Sequence, residues 1–235
     1  ARNDLATIVH RALGMNGMND EIETSAMKFA TKLCGRDDFF KEVFSDPACI
    51  NFVVVAMNSH ICNQDLQMAG ITILWVLSSF GKNKYIIGEI GGLHVMVNAL
   101  LGHIIDKQLQ VDVMKVLKNL ATTTENKRKI REVQGETAIV CSMWVNMDTP
   151  DILGAAFSAL NNIAVDTENK VIAPLSTEMI QCVLFAMRKH PQSLAVQENG
   201  CFLLKSHTFS PSNMEIMKLR RNEIDEVLIL ALFNF

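Results

Sequence analysis

Leu109-Gln110-Val111-Asp112-Val113-Met114-Lys115-Val116-Leu117-Lys118-Asn119-Leu120-Ala121 places apolar residues at 109, 113, 116, 117 and 120. Steps of three and four line one face of an α-helix, whereas a strand would alternate. The leading apolar residue of this stretch recurs as Ile22, Leu66, Leu109, Ile152 and Val196, 43 or 44 residues apart each time. Eight residues further on come Ala30, Leu74, Leu117, Leu160 and Leu204, and three beyond those Leu33, Leu77, Leu120, Ile163 and His207. Self-similarity at a fixed period of this length marks a chain of stacked helical units, none of which can bury its apolar face alone.

Working outward, a second element begins near Asn83, Asn126, Asn169 and Asn213. Asparagine ahead of a helix can accept a bond from a free backbone N–H, so these four are expected as N-caps. Pro47 and Gly91, with Gly135 one place away, mark a joint after this short helix. Another helix then carries Met57, Leu100, Met143 and Met187 in one column. The expected architecture is all-α, a single domain over 1–235. Full units fall at about 38–81, 82–124, 125–167 and 168–211, with partial ones at 1–37 (helices 5–13 and 22–33) and 212–235. The opening at Ala1 and the apolar stretch Leu228-Ile229-Leu230-Ala231-Leu232-Phe233 lead us to expect a piece of a longer protein.

The segments Leu66-Gln67-Met68-Ala69-Gly70 with Asn83-Lys84 and Ile90-Gly91-Gly92-Leu93 resemble the armadillo repeat. So do Leu109-Gln110 with Leu117-Lys118-Asn119-Leu120-Ala121 and Glu125-Asn126-Lys127, and Leu160-Asn161-Asn162-Ile163-Ala164 with Glu168-Asn169-Lys170. The resemblance covers nearly the whole chain and implies a three-helix repeat, a right-handed superhelix, and a concave groove lined by each unit's third helix that binds an extended segment of a partner. A two-helix repeat of the HEAT kind fits the period too, but not the extra short helix.

With the third-helix columns of Leu66, Gly70, Ile73, Leu74 and Leu77 turned inward, helical geometry points residues 72 and 75 outward and leaves 76 at the border. The outward columns read Lys28, Thr72, Lys115, Ser158, Phe202 and Thr31, Trp75, Lys118, Asn161, Lys205; the border reads Lys32, Val76, Asn119, Asn162, Ser206. Five of these fifteen are lysine and none is acidic, in a chain of net charge -3. A lysine-lined cleft favours an acidic peptide. Asn119 and Asn162 could bond its backbone, and Trp75 and Phe202 could anchor apolar side chains. The nuclear-import adaptor importin-alpha grips basic signals with tryptophan where this chain has Lys28, Thr72, Lys115, Ser158 and Phe202, so that alternative fits poorly; the lysines are closer in character to beta-catenin-like proteins. A non-catalytic region of a larger enzyme or regulatory protein, or an architectural rod, are further alternatives.

Other chemistry finds little footing. The net charge gives no reason to expect nucleic acid, and no apolar run of about 18 residues suggests membrane insertion. His60, His103 and His190 share a column completed by Asn146. Helices packed about 8–10 Å apart do not bring successive units within the roughly 2 Å that zinc ligands need, so no metal is expected. Six cysteines form no C-x-x-C pair and read as buried thiols of a reducing compartment, the cytoplasm or also the nucleus. No cysteine has a base at identifiable reach, so neither an enzyme nor a cofactor is expected. Met57, Met143 and Met187 read as core gap-fillers, His207 as a partly buried structural residue, and Glu125-Asn126-Lys127-Arg128-Lys129 as a solvated helix start.

Overall fold

Helix starts in this chain are set by short polar side chains, and the computed structural model shows which ones. It describes residues 19–166, 171–172 and 174–235, among which fourteen α-helices run in order. They are α1 (Asp20–Cys34), α2 (Asp38–Phe44), α3 (Pro47–Ser59), α4 (Gln64–Leu77), α5 (Gly81–Glu89), α6 (Gly92–Gly102), α7 (Lys107–Leu120), α8 (Thr124–Glu132), α9 (Gly135–Val145), α10 (Pro150–Ala164), α11 (Thr177–Lys189), α12 (Leu194–His207), α13 (Pro211–Lys218) and α14 (Arg221–Asn234). Asn19, Asp37, Asp46, Asn63, Asp106, Thr123, Ser176 and Ser210 each accept a backbone N–H at a helix start, which satisfies one of the donors a helix leaves open.

The asparagine column is therefore not a row of caps. Asn83, Asn126 and Asn213 sit inside α5, α8 and α13 and are 0–2% exposed. Their side chains tie neighbouring segments together. Asn83 donates to Ser45 Oγ and the Leu77 carbonyl, Asn126 to the Lys84 and Leu120 carbonyls, and Asn213 accepts from the Leu175 N–H. Buried amides need such partners. The capping role falls three residues earlier, to Thr123 and Ser210. Asn169, and the helix expected over 5–13, lie outside the described residues. No short helix forms at 171–172, where the chain instead pairs antiparallel, Val165–Asp166 (β1) with Val171–Ile172 (β2). β-branched residues favour that extended backbone, and Pro174 follows.

The helices pack in two rows. In one, α1, α4, α7, α10 and α12 lie each against the next; in the other, α3, α6, α9, α11 and α14 do the same, and each row packs on the other. The core is the seam between them. Leu66, Leu109, Ile152 and Val196 are fully buried, as are Leu74, Leu117, Met57, Leu100 and Met143. Only Ile22, in the first helix described, is exposed among the leading residues. His207, in the same seam, is 2% exposed and bonds the Leu203 carbonyl through Nδ1; burial lowers its pKa.

Two polar columns link the rows. Gln67, Gln110 and Gln197 each donate through Nε2 to two carbonyls at the end of the preceding second-row helix: Met57 and His60, Leu100 and His103, Met187 and His190. The histidine column serves backbone too. His103 Nε2 lies 2.7 Å from the Ile61 oxygen, Asn146 donates to the Ile104 oxygen, and His190 Nε2 lies 2.8 Å from the Met147 oxygen. His60 instead faces the buried Glu23 carboxylate at 3.4 Å. The joint between first and second helices is built in different ways. Gly91 takes a left-handed φ of 86° ahead of α6, Gln134 takes 57° ahead of α9, and Pro47 is simply the first residue of α3. Glycine adopts that backbone without cost; glutamine does not.

Candidate functional site

The face built by the outward residues of α1, α4, α7, α10 and α12 carries most of the residues expected to meet a partner. Lys28, Lys32, Lys118 and Lys205 are exposed, and Trp75 and Phe202 keep 43% and 53% of their surface open. Thr72, Ser158 and Val76 are half-buried, Val76 against the core. Thr72 spends its hydroxyl proton on the Met68 carbonyl. Lys115 holds its ammonium 5.6 Å from the Trp75 ring centroid and 2.9 Å from Asp112 Oδ1. The lysine and the indole thus meet across the α4–α7 contact as a cation–π pair. Asp112 was not counted on this face, and it partly offsets the charge of Lys115.

Two of the expected residues are not on the open face. Asn161 is 8% exposed and donates to the Asn199 carbonyl of α12; Ser206 is 4% exposed and bonds the Phe202 carbonyl. The next helix covers Asn161, an outward-column position, and Ser206, on the border, turns onto its own helix. Asn119 and Asn162 stay half-buried, but each commits its amide within the chain, Asn119 to Ser78 Oγ at 3.0 Å and Asn162 to the Lys118 carbonyl at 2.9 Å. They bridge neighbouring helices of the row.

A cleft of about 390 Å³ opens beside Trp75, lined also by Gly35, Lys41, Val76, Ser79 and Asn119. Lys41 and Ser79 were missed because Lys41 belongs to the short helix α2 and Ser79 follows the end of α4, outside the columns of the third helices. Lys41 is paired with Asp38 at 2.7 Å. The basic run at the start of α8 is less solvated than expected. Lys127 is 8% exposed and donates to the Val165 carbonyl, Lys129 pairs with Glu89 at 2.5 Å, and only Arg128 spans Glu125 and Glu132 in the open.

Among the described residues no group of three or more His, Cys, Asp or Glu could hold a metal ion, and no single helix is long and apolar enough to cross a membrane. Cys34, Cys49 and Cys182 are buried, their thiols pushed up to about 11, 12 and 12 by desolvation. Cys62 and Cys141 are exposed, contrary to the expectation of buried thiols, because they fall in the turn between α3 and α4 and on the outer side of α9.

No protein-family model and no curated protein matches the chain. Among solved structures, one described as an engineered protein superposes with a TM-score of 0.69 over 99% of this chain and 96% of its own, at 17% identity. The two share a helical fold. Nothing about function follows from that likeness.

Proposed function

We propose that the chain is an armadillo-type, right-handed superhelical scaffold of about four three-helix repeats, and that it binds an extended acidic segment of another protein along the face of α1, α4, α7, α10 and α12. The observation that carries this is the open, lysine-rich character of that face, which Asp112 offsets only at Lys115. Lys28, Lys32, Lys118 and Lys205 stand exposed beside Trp75 and Phe202, while the seam behind them is packed shut. Exposed lysines in a chain of net charge -3 concentrate positive potential where an acidic chain can follow it. The Trp75–Lys115 pair and its adjoining cleft, which Lys41 also lines, supply an apolar anchor beside two lysines, and aromatic side chains are frequent anchors at interfaces. The binding is non-catalytic, and the face suits protein rather than nucleic acid because its five lysines sit on only three of the five helices, α1, α7 and α12, with uncharged residues of α4 and α10 between them.

Titration calorimetry with an acidic peptide, its scrambled form and a basic counterpart tests this. The acidic peptides should bind more tightly, and binding should weaken with added salt. Lys115→Glu with Lys118→Glu should weaken acidic-peptide binding by about tenfold or more, roughly 1.4 kcal/mol. Equal affinity for acidic and basic peptides, or no effect of the double substitution on a folded protein, would overturn the proposal.

A further inference from the structure

Two lysines border the cleft beside Trp75, and each already holds a carboxylate of this chain. The two pairs are built differently. Lys41, from α2, lines the cleft and pairs with Asp38 at 2.7 Å, and the Asp38 side chain is 85% exposed. Lys115, from α7, pairs with Asp112 at 2.9 Å, but there the carboxylate is only 18% exposed. Gln108 Nε2 also donates to Asp112, 2.8 Å from Oδ2, so the amide fixes one carboxylate oxygen and the ammonium the other. Lys115 in turn lies 5.6 Å from the centre of the Trp75 ring. Gln108, Asp112, Lys115 and Trp75 are thus connected in series, whereas the Asp38 carboxylate is held by Lys41 alone among the described residues.

This difference decides which ammonium a partner can use. An ion pair whose carboxylate stands in water contributes little, so an incoming carboxylate displaces Asp38 from Lys41 readily. The Lys41 side chain is itself half-buried, and there a carboxylate is attracted more strongly than in open water. Lys115 is not free in that way. Leaving its place would strand the mostly covered Asp112 carboxylate and abandon the indole, so its ammonium is a clamp on the ring. The rest of the cleft is largely apolar, with Trp75 and Val76 at its side and Gly35 adding no side chain. Its volume of about 390 Å³ exceeds the cavity of about 150 Å³ that takes up a benzene ring, so a phenylalanine or leucine side chain fits.

We propose that this cleft is the subsite that selects the partner: it takes a large apolar side chain next to an aspartate or glutamate, whose carboxylate replaces Asp38 on Lys41. Asp38 is then a built-in competitor for that place. Asp112 is a positioning residue, which holds Lys115 on the indole and keeps the ring set against the cleft. The proposal rests on the acidic-segment reading of the face and narrows it. Acidity alone brings a segment to the lysines of α1, α7 and α12; an apolar residue beside an acid decides which segment stays. The bound segment reaches past the row of long helices to α2, where Lys41 stands.

Trp144→Phe leaves Trp75 as the only tryptophan of the chain, so its emission reports on the cleft. The probes are synthetic peptides of glycine, serine and glutamate, one with a Phe-Glu pair at its centre and one with that phenylalanine replaced by serine. The Phe-Glu peptide should bind about tenfold more tightly and change the Trp75 emission. The serine peptide carries the same charge, so it should bind and leave the emission as it was. Asp38→Asn and Asp112→Asn each remove one negative charge, yet their effects should differ in sign. Asp38→Asn removes the competitor and should tighten Phe-Glu binding about twofold to fivefold; Asp112→Asn releases the clamp and should weaken it about as much. Equal affinity for the two peptides, or equal gains from the two substitutions, overturns this proposal and leaves the acidic-segment reading standing. Failure of both peptides to bind overturns both.

Discussion

Replacing Gly88 by alanine should destabilise this protein, although the same change near a helix end elsewhere is neutral or helpful. Gly88 lies in the last turn of α5, and a Cβ there would fall 1.9 Å from Asn126 Oδ1. Asn126 cannot turn away freely. It is 1% exposed and gives its two amide protons to the Lys84 and Leu120 carbonyls at 2.8 and 3.1 Å. Displacing it loses two bonds worth about 1 kcal/mol each and strands polar groups, against a helix-propensity gain of at most about 1 kcal/mol. The net expectation is about 1–3 kcal/mol of destabilisation by urea denaturation followed by circular dichroism. The cause is checked by a double-mutant cycle. In an Asn126→Ala background the clash and the bonds are both gone, so Gly88→Ala should become neutral or slightly stabilising, with a coupling of about 2 kcal/mol. A higher midpoint for Gly88→Ala in the wild type, or additive effects in the cycle, would refute the close packing of α5 on α8.

Two other expectations follow from burial. His207 is held neutral, its folded pKa below the unfolded value of 6.5 because desolvation disfavours the charged form. The unfolded state then binds more protons as pH falls through 6.5 and down to the folded pKa, so stability is full above that window and is lost within it. His207→Leu, which restores the residue type found elsewhere in that column, should remove this component. Wild type and variant should therefore diverge in denaturation midpoint at pH 5 much more than at pH 8, and a parallel pH dependence would contradict the burial. In native protein an alkylating reagent should modify Cys62 and Cys141 first, whereas Cys34, Cys49 and Cys182, with thiols pushed up to about 11, 12 and 12, should react only after unfolding; peptide mapping that found Cys49 labelled early would contradict this.

The helical seam was legible because apolar side chains record burial directly. Leu66, Leu109, Ile152 and Val196 fall in register and are all buried. What stayed hidden is polar. Asn83, Asn126 and Asn213 look like caps from composition, since asparagine is a strong capping residue, yet Thr123 and Ser210, three residues before two of them, are the better signal. The column of Gln67, Gln110 and Gln197 could have been read from the same register, but its acceptors are backbone carbonyls, which leave no trace in side-chain identity. On the outward face the helical wheel separated Lys28, Trp75, Lys118 and Phe202 correctly from the core. It failed for Asn161, in an outward column, because the next helix reaches over it, and for Ser206, on the border, because its hydroxyl turns onto its own helix; one helix's spacing encodes neither. Asp112 lies outside the three columns of that face, and only the reach of Lys115 brings it into play.

Among the described residues, every pair of helices in substantial contact comes from the same or adjoining stretches of about 43 residues, and the polar links between them, such as His103 to Ile61 and Asn162 to Lys118, span 42 and 44 positions. Nothing described fastens one extremity of the molecule to the other. Tension applied across it must pass through these junctions in series, so each yields a little and the whole lengthens like a spring before any single helix uncoils.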